Sequence, residues 1–314
     1  MRVDRPRLSL IVEWDNARYY EIRRAGVTLR RVLAQLDELG EPAEILLVFD
    51  ARAIDEVRVK EVAADLVEDA RGGVEVSIVA TDGLRYYQLK NEGARRSRGD
   101  ILLFVDSDVI PDDGWLRKLV ASFRDPAVQV VMANPYVEAE TLYGKAFALA
   151  WYFPSRTPED RPVPTTHSFA NSIAFRRETF QRHPFPDDRA LYIGQCRDFT
   201  AMLRRIGIEV YMNPAARVRH PPPRFLRSAV INGHDAVIRQ RRAGDARARA
   251  SCWRLRGHLV TAARRVGAER RTVGLSRAGA CAALVIATSY YVVSFAAELL
   301  TWINPRVIHR LYAL

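Results

Sequence analysis

Ile101-Leu102-Leu103-Phe104-Val105-Asp106-Ser107-Asp108 is the stretch on which the reading of this chain turns. Five apolar residues run directly into two carboxylates spaced one residue apart, the pattern of a buried strand that empties into an acidic site. Parallel α/β sheets place their chemistry at the carboxyl ends of strands. Carboxylates at the mouth of a core strand need water, a basic partner or a cation, because desolvated and unpaired charge is costly. Hard oxygen ligands of this kind suit Mg2+ or Mn2+ holding a phosphate-bearing substrate. An Asp-x-Asp taken alone is more often an Asp-rich turn, so its surroundings decide.

Upstream, the same strand pattern occurs twice, and a third strand lies between them and the opening stretch. Leu8-Ser9-Leu10-Ile11-Val12 is a short apolar strand that stops at Glu13-Trp14-Asp15-Asn16. Thr28 is placed to cap a helix carrying Leu29, Val32, Leu33, Leu36 and Leu39, which Gly40 ends. Ile45-Leu46-Leu47-Val48-Phe49 repeats the strand and again ends in an acid, Asp50; a helix over 54–70, a strand over 74–79 and a helix through Tyr86, Leu89, Lys90 and Ala94 follow. This βαβαβαβ alternation predicts an α/β fold, a mostly parallel sheet with helices on both faces, with Asp15, Asp50, Asp106 and Asp108 along one edge.

Downstream, the spacing predicts a helix opened by Pro111, a strand over 128–132, a helix over 142–152, and a proline-rich charged loop over 154–164 of the kind that closes over a site. Strands over 172–175 and 208–212 flank a helix over 197–206. Val218-Arg219-His220 leads into Pro221-Pro222-Pro223, which ends regular structure and bounds a first domain at 1–223.

The net charge of +11 is concentrated beyond that point, since twelve arginines lie between Arg239 and Arg277 against Asp245 and Glu269. Residues 224–277 therefore read as a basic helical region. Residues 278–297 carry no charge, and twenty helical residues at about 1.5 Å each span roughly 30 Å, the thickness of a bilayer's hydrocarbon core. A buried or surface-lying helix satisfies the same length; the basic flank favours an anionic membrane surface as partner and 278–303 as a membrane anchor, with 304–314 a tail. Cys196, Cys252 and Cys281 have no paired spacing and suit a reducing compartment. The basic start, Met1 to Arg7, is followed by too short an apolar run for an export signal.

Lys90-Asn91-Glu92-Gly93-Ala94, followed by Gly99-Asp100 and the opening stretch, resembles the run from nucleotide-binding helix to metal motif in family 2 of the nucleotide-sugar-dependent glycosyltransferases, which have the GT-A fold. Residues 169–177, Phe-Ala-Asn-Ser-Ile-Ala-Phe-Arg-Arg, are similar to that family's acceptor-side strand. Gly194-Gln195-Cys196-Arg197-Asp198 sits where these enzymes usually carry a pair of acids, with Arg197 in place of the first. The resemblance covers roughly 7–223. It implies transfer of a sugar from a UDP- or GDP-sugar to a glycan or lipid-linked acceptor, with inversion and with Mn2+ or Mg2+, by a catalytic domain facing the cytoplasm from the cytoplasmic (inner) membrane. It assigns Asp198 as general base, Asp108 and His220 as metal ligands, and Glu13, Asp15, Asn16, Asp50, Lys90, Asp106 and Asn171 to the donor.

Each residue has a plainer reading: loop solvation or helix capping for Glu13 and Asp50, a solvated helix position for Lys90, a structural histidine for His220. Three other functions compete. A nucleotidyltransferase would carry a glycine-rich basic loop after its first strand, which Glu13-Trp14-Asp15-Asn16-Ala17 is not. Nucleic acid is disfavoured as a partner because the arginine region has few interleaved aromatics and adjoins an apolar helix. A donor-binding relative without catalysis remains open through Arg197. Only one apolar span is present and no Gln-x-x-Arg-Trp occurs, which argues against a processive polymerase.

Overall fold

The apolar runs form the centre of one sheet. A computed structural model of the chain describes residues 7–18, 22–69, 73–151, 159, 161–188, 190–192, 195–244 and 249–308. β1 (Leu8–Glu13), α1 (Ile22–Leu39), β2 (Ala43–Asp50), α2 (Glu56–Asp69), β3 (Val74–Thr81), α3 (Tyr86–Arg96) and β4 (Ile101–Asp106) alternate as the sequence predicts. Their strands pair in parallel in the order β3-β2-β1-β4, and the register sets Glu13 opposite Asp106 at the carboxyl ends.

Beyond β4 come β5 (Ile110–Pro111), α4 (Trp115–Ser122), β6 (Val130–Val137), α5 (Leu142–Ala150), β7 (Val163–Pro164), β8 (Ser172–Arg176), α6 (Arg177–Arg182), α7 (Gln195–Arg205) and β9 (Val210–His220). The full order is β3-β2-β1-β4-β8-β6-β9-β5, with β7 beside β9. Here the sheet turns antiparallel: β8 runs against β4 and β6, and β9 against β5 and β7. That reversal positions the site. An antiparallel β8 starts where β4 ends, so Asn171 arrives at the mouth of β4 and its carbonyl accepts the Asp106 N–H at 3.0 Å. Likewise Arg219 pairs with Ile110, which delivers His220 to the turn that follows Asp108.

The chain divides into two compact units. One comprises Met1–Pro135, Pro154–Asp187 and Cys196–His220, the other Tyr136–Phe153, Asp188–Gln195 and Pro221–Leu314. In the first, alternation along β1 sends Leu8, Leu10 and Val12 to a core shared with α1, α2 and α4, while Ile11 joins α3, α6 and α7 on the opposite face. In the second, α5 packs with α8 (Phe225–Arg242), α9 (Arg249–Glu269) and α10 (Arg277–Ile303), and the Tyr290 ring meets Phe147 and Phe225 edge-on.

Three local expectations are corrected. Thr28 lies inside α1, where its hydroxyl donates within reach of the Ser107 and Val109 carbonyls, so it braces the loop after β4 instead of capping a helix. Pro111 is in a strand, and α4 starts at Trp115. The strand read over 208–212 runs on much further, since 210–220 is one strand. Residues 152–158 and 160 of the predicted helix end and closing loop, and Gly194, lie outside the described residues.

Gly93 explains one of the motif glycines. A Cβ there would sit 2.4 Å from Ile11 Cγ2 and 3.0 Å from Val48 Cγ2, so α3 rests on β1 and β2 through bare backbone. Gly93→Ala is expected to destabilise the chain by about 1–3 kcal/mol, the usual cost of overpacking, read as a lowered urea midpoint with an unchanged slope.

Candidate active site

The site is assembled at the ends of β1, β4 and β9 and the start of β8. Lys90, fully buried on α3, donates to Asp106 Oδ1 at 2.6 Å. One helical turn earlier on the same face, Tyr86 donates its hydroxyl to Asp106 at 2.8 Å, and the Lys90 ammonium stands 4.5 Å from the Tyr86 ring centre. Asn16, in the 3-10 turn after β1, bridges Glu13 Oε1 (3.0 Å) and Asp106 Oδ2 (3.1 Å) through its Nδ2. Glu13 also accepts the Asp15 N–H at 2.7 Å. Burial, and then the Asp106 charge beside it, pushes the Glu13 carboxyl well above the usual carboxylate range.

Asp108 differs from Asp106 in having an unanswered atom. It is buried, and its Oδ1 has no hydrogen-bond partner among the described residues. Desolvation lifts its pKa to about 6, while the nearby His220 pulls it back and Asp106 adds to the rise. Both amide atoms of the Asn171 side chain are likewise buried without a partner. Orphaned polar atoms of this kind cost about 1–3 kcal/mol each unless a ligand or water meets them.

These residues fit a divalent cation in a specific way. Among the described residues no three His, Cys, Asp or Glu side chains converge as a ready-made cage. Asp108 Oδ1 is buried and unanswered with His220 nearby, and a cation met by so few protein groups would complete its shell from substrate phosphates and water, as Mg2+ commonly does.

Of the other predicted residues, Asp50 closes β2 and accepts the Arg52 and Gly83 N–H groups, with Arg18 at 3.6 Å. Arg18 also pairs with Asp15. Asp198 stands exposed in the first turn of α7. Two residues before it, Cys196 is buried with its sulfur 3.1 Å from the Tyr87 hydroxyl, tying the start of α7 to α3. Burial pushes that thiol up to about 11, so it is not a nucleophile at neutral pH. Sequence reasoning missed Tyr86 and Tyr87. The signal was present, because Tyr86 and Lys90 are four apart on one helix and share a face.

The family model for glycosyl transferase family 2 matches residues 19–183, just over half of the chain and including Asp50, Lys90, Asp106, Asp108 and Asn171. No curated protein matches the chain in sequence. Among solved structures, the mannosyltransferase PcManGT from Pyrobaculum calidifontis, in complex with GDP-Man and Mn2+, superposes with a TM-score of 0.58 at 18% identity over 95% of this chain and 88% of its own. GalNAc-T7 with UDP, GalNAc and Mn2+ gives a TM-score of 0.51 at 15% identity over 70% of this chain and 44% of its own. At such identities the likeness is one of fold, and it agrees with the mixed sheet and flanking helices described above. By the extent of the family match, and with that fold, the chain belongs to glycosyl transferase family 2 and is a glycosyltransferase of the GT-A type.

Proposed function

We propose that the protein moves a sugar from a UDP- or GDP-sugar to a membrane-associated glycan or lipid-linked acceptor with inversion, dependent on Mn2+ or Mg2+. The observation that carries this reading is the set of buried, unpartnered atoms on Asp108 and Asn171 beside the Lys90–Asp106 pair. Asp108 and His220 would hold the cation, which supplies charge stabilisation for the departing diphosphate. Solved neighbours in complex with GDP-Man and Mn2+ or with UDP and Mn2+ are in keeping with it. Lys90 is already committed to Asp106, so its role is to hold that carboxylate and, through Asn16, the Glu13 end of β1 in place behind the donor. Glu13, Asp15, Asn16 and Asp50 would border the nucleoside, and Asn171 would hydrogen-bond donor or acceptor.

Asp198 would take the proton from the acceptor hydroxyl, and its exposure on α7 leaves it open to an incoming acceptor. Membrane attachment would come through residues 278–303, with the catalytic unit on the cytoplasmic side; α10 is long and apolar enough to cross a bilayer.

A thermal-shift panel of UDP- and GDP-sugars, each with and without Mn2+, tests the donor assignment, since a ligand that binds the fold raises its apparent stability. Wild-type protein and Asp198→Asn are expected to show the same cation-dependent shift with one donor, while transfer by the variant falls by about 10²–10⁴, the usual contribution of a general base. No shift with any donor would refute the donor site. Undiminished transfer by the variant would remove Asp198 from the mechanism.

A further inference from the structure

α10 is built with its size order inverted. The residues it turns inward recur every three or four positions and are mostly small: Ala280, Ala283, Ala287, Tyr290 and Ala297 are buried. The outward stripe carries the larger aliphatics, with Val285 64% exposed, Val292 48%, Leu299 39% and Ile303 83%, separated by the smaller exposed residues Ser289 and Ala296. A surface helix in water does the opposite, facing its aliphatics to the core and polar groups to solvent.

The inward face is also fastened along its whole length. α10 packs on α5, α8 and α9. A Cβ added at Gly233 of α8 would lie 2.2 Å from the Ser294 carbonyl, so the two helices touch backbone to backbone. Asn232 donates to the Tyr290 hydroxyl, and the buried Glu298 carboxylate receives Arg254 at 2.7 and 3.0 Å. A helix held in this way from Ala280 to Thr301 cannot cross a bilayer without stripping its neighbours from it.

α9 runs antiparallel beside it, as three contacts show: Trp302 Nε1 donates to Ser251, Arg254 pairs with Glu298, and the His258 ring stacks on Tyr291 at 4.6 Å. The outer side of α9 exposes Trp253 (65%) and Val260 (40%) together with Arg256, Arg264 and Arg265. Between Arg249 and Ile303 there are eight arginines and two carboxylates, and both carboxylates are engaged, Glu298 by Arg254 and Glu269 by Thr272.

We propose that α9 and α10 form an in-plane lipid face, with α10 lying along an anionic bilayer surface and the α9 arginines meeting its headgroups. This deepens the membrane attachment proposed above and rests on it. Outward aliphatics flanked by guanidinium groups and an exposed tryptophan are the composition of a surface-lying amphipathic element. A second copy of the chain fits less well, because two-fold pairing across the α10 stripe would bring the same arginine-rich helices together without acids to answer them.

The test is flotation of the purified full chain with vesicles of phosphatidylcholine alone or with phosphatidylglycerol, followed by alkaline carbonate washing. The expected result is binding to the anionic vesicles only, release by carbonate, and a loss of at least ten-fold in both Val292→Glu/Leu299→Glu and Arg256→Glu/Arg264→Glu. All four positions are exposed, and an unchanged thermal unfolding midpoint would verify that both variants fold. Binding that resists carbonate would overturn the in-plane arrangement while leaving attachment intact. No binding to either vesicle would overturn attachment itself, and a dimer dispersed by Val292→Glu/Leu299→Glu without vesicle binding would assign the face to a second copy.

Discussion

Asp108→Asn is expected to lower kcat/KM for sugar transfer by on the order of 10³, because on the proposed reading its charge would hold a cation at the departing diphosphate, and losing it would forfeit several kcal/mol of transition-state stabilisation. The same substitution is expected to raise the stability of the ligand-free protein. The Asp108 carboxyl is buried and its pKa stands at about 6, above the ordinary 3.8, so the fold favours its protonated form. In the absence of a cation its contribution to stability is complete below the ordinary carboxylate value and is lost as pH rises through about 6. Cation binding has the opposite slope, since it requires the ionised form, and Mn2+ affinity is expected to fall as pH drops through that same value. Activity lost with stability gained identifies a functional carboxylate kept at a cost to the fold. Transfer at the wild-type rate, or Mn2+ binding indifferent to pH between 5 and 7, would dismiss the assignment.

Lys90→Met is expected to cost about 3–5 kcal/mol of stability, the penalty for leaving one member of a buried ion pair without its partner. The side chain is fully enclosed and its ammonium is 2.6 Å from Asp106 Oδ1, with Glu13 in the same cluster. Removing the cation leaves two buried carboxyl groups facing each other, met by the neutral donors Tyr86, Asn16 and the Asp15 N–H. The double variant Lys90→Met/Asp106→Leu is expected to recover part of that loss, because an apolar pair of similar volume replaces the ion pair without stranding a charge. Urea denaturation of the two single variants and the double variant measures the coupling. A Lys90→Met protein as stable as wild type would mean that Asp106 is satisfied without it.

How much of this was readable in the chain depends on range. The first four strands and their helices were legible, because each carries its own apolar period and three of the strands, β1, β2 and β4, end in an acid; the family motif around Asp106 added the fold. Beyond β4 the strands over 128–132, 172–175 and 208–212 were legible but their direction was not, since it is fixed by pairing between distant segments that nothing local encodes. Thr28 was misread for the same reason: its real partners are carbonyls 79 and 81 residues away. Lys90 was placed correctly on a helix, but its partner lies 16 residues on, across a helix–sheet junction that only the packing of Gly93 onto Ile11 and Val48 defines. The orphaned atoms of Asp108 and Asn171 could not be read at all from sequence, because a missing partner is a property of the finished surroundings.

The bridge that Asn16 makes to Asp106 joins residues 90 positions apart, and it has a kinetic meaning. Contacts of such long range form late, after the entropy of closing the intervening chain has been met. No hairpin or single βαβ piece can hold the Glu13, Asn16 and Asp106 cluster, since it exists only once β1 and β4 are paired. The cluster is therefore complete only when β1 and β4 have met, and a chain in which they are unpaired lacks it altogether.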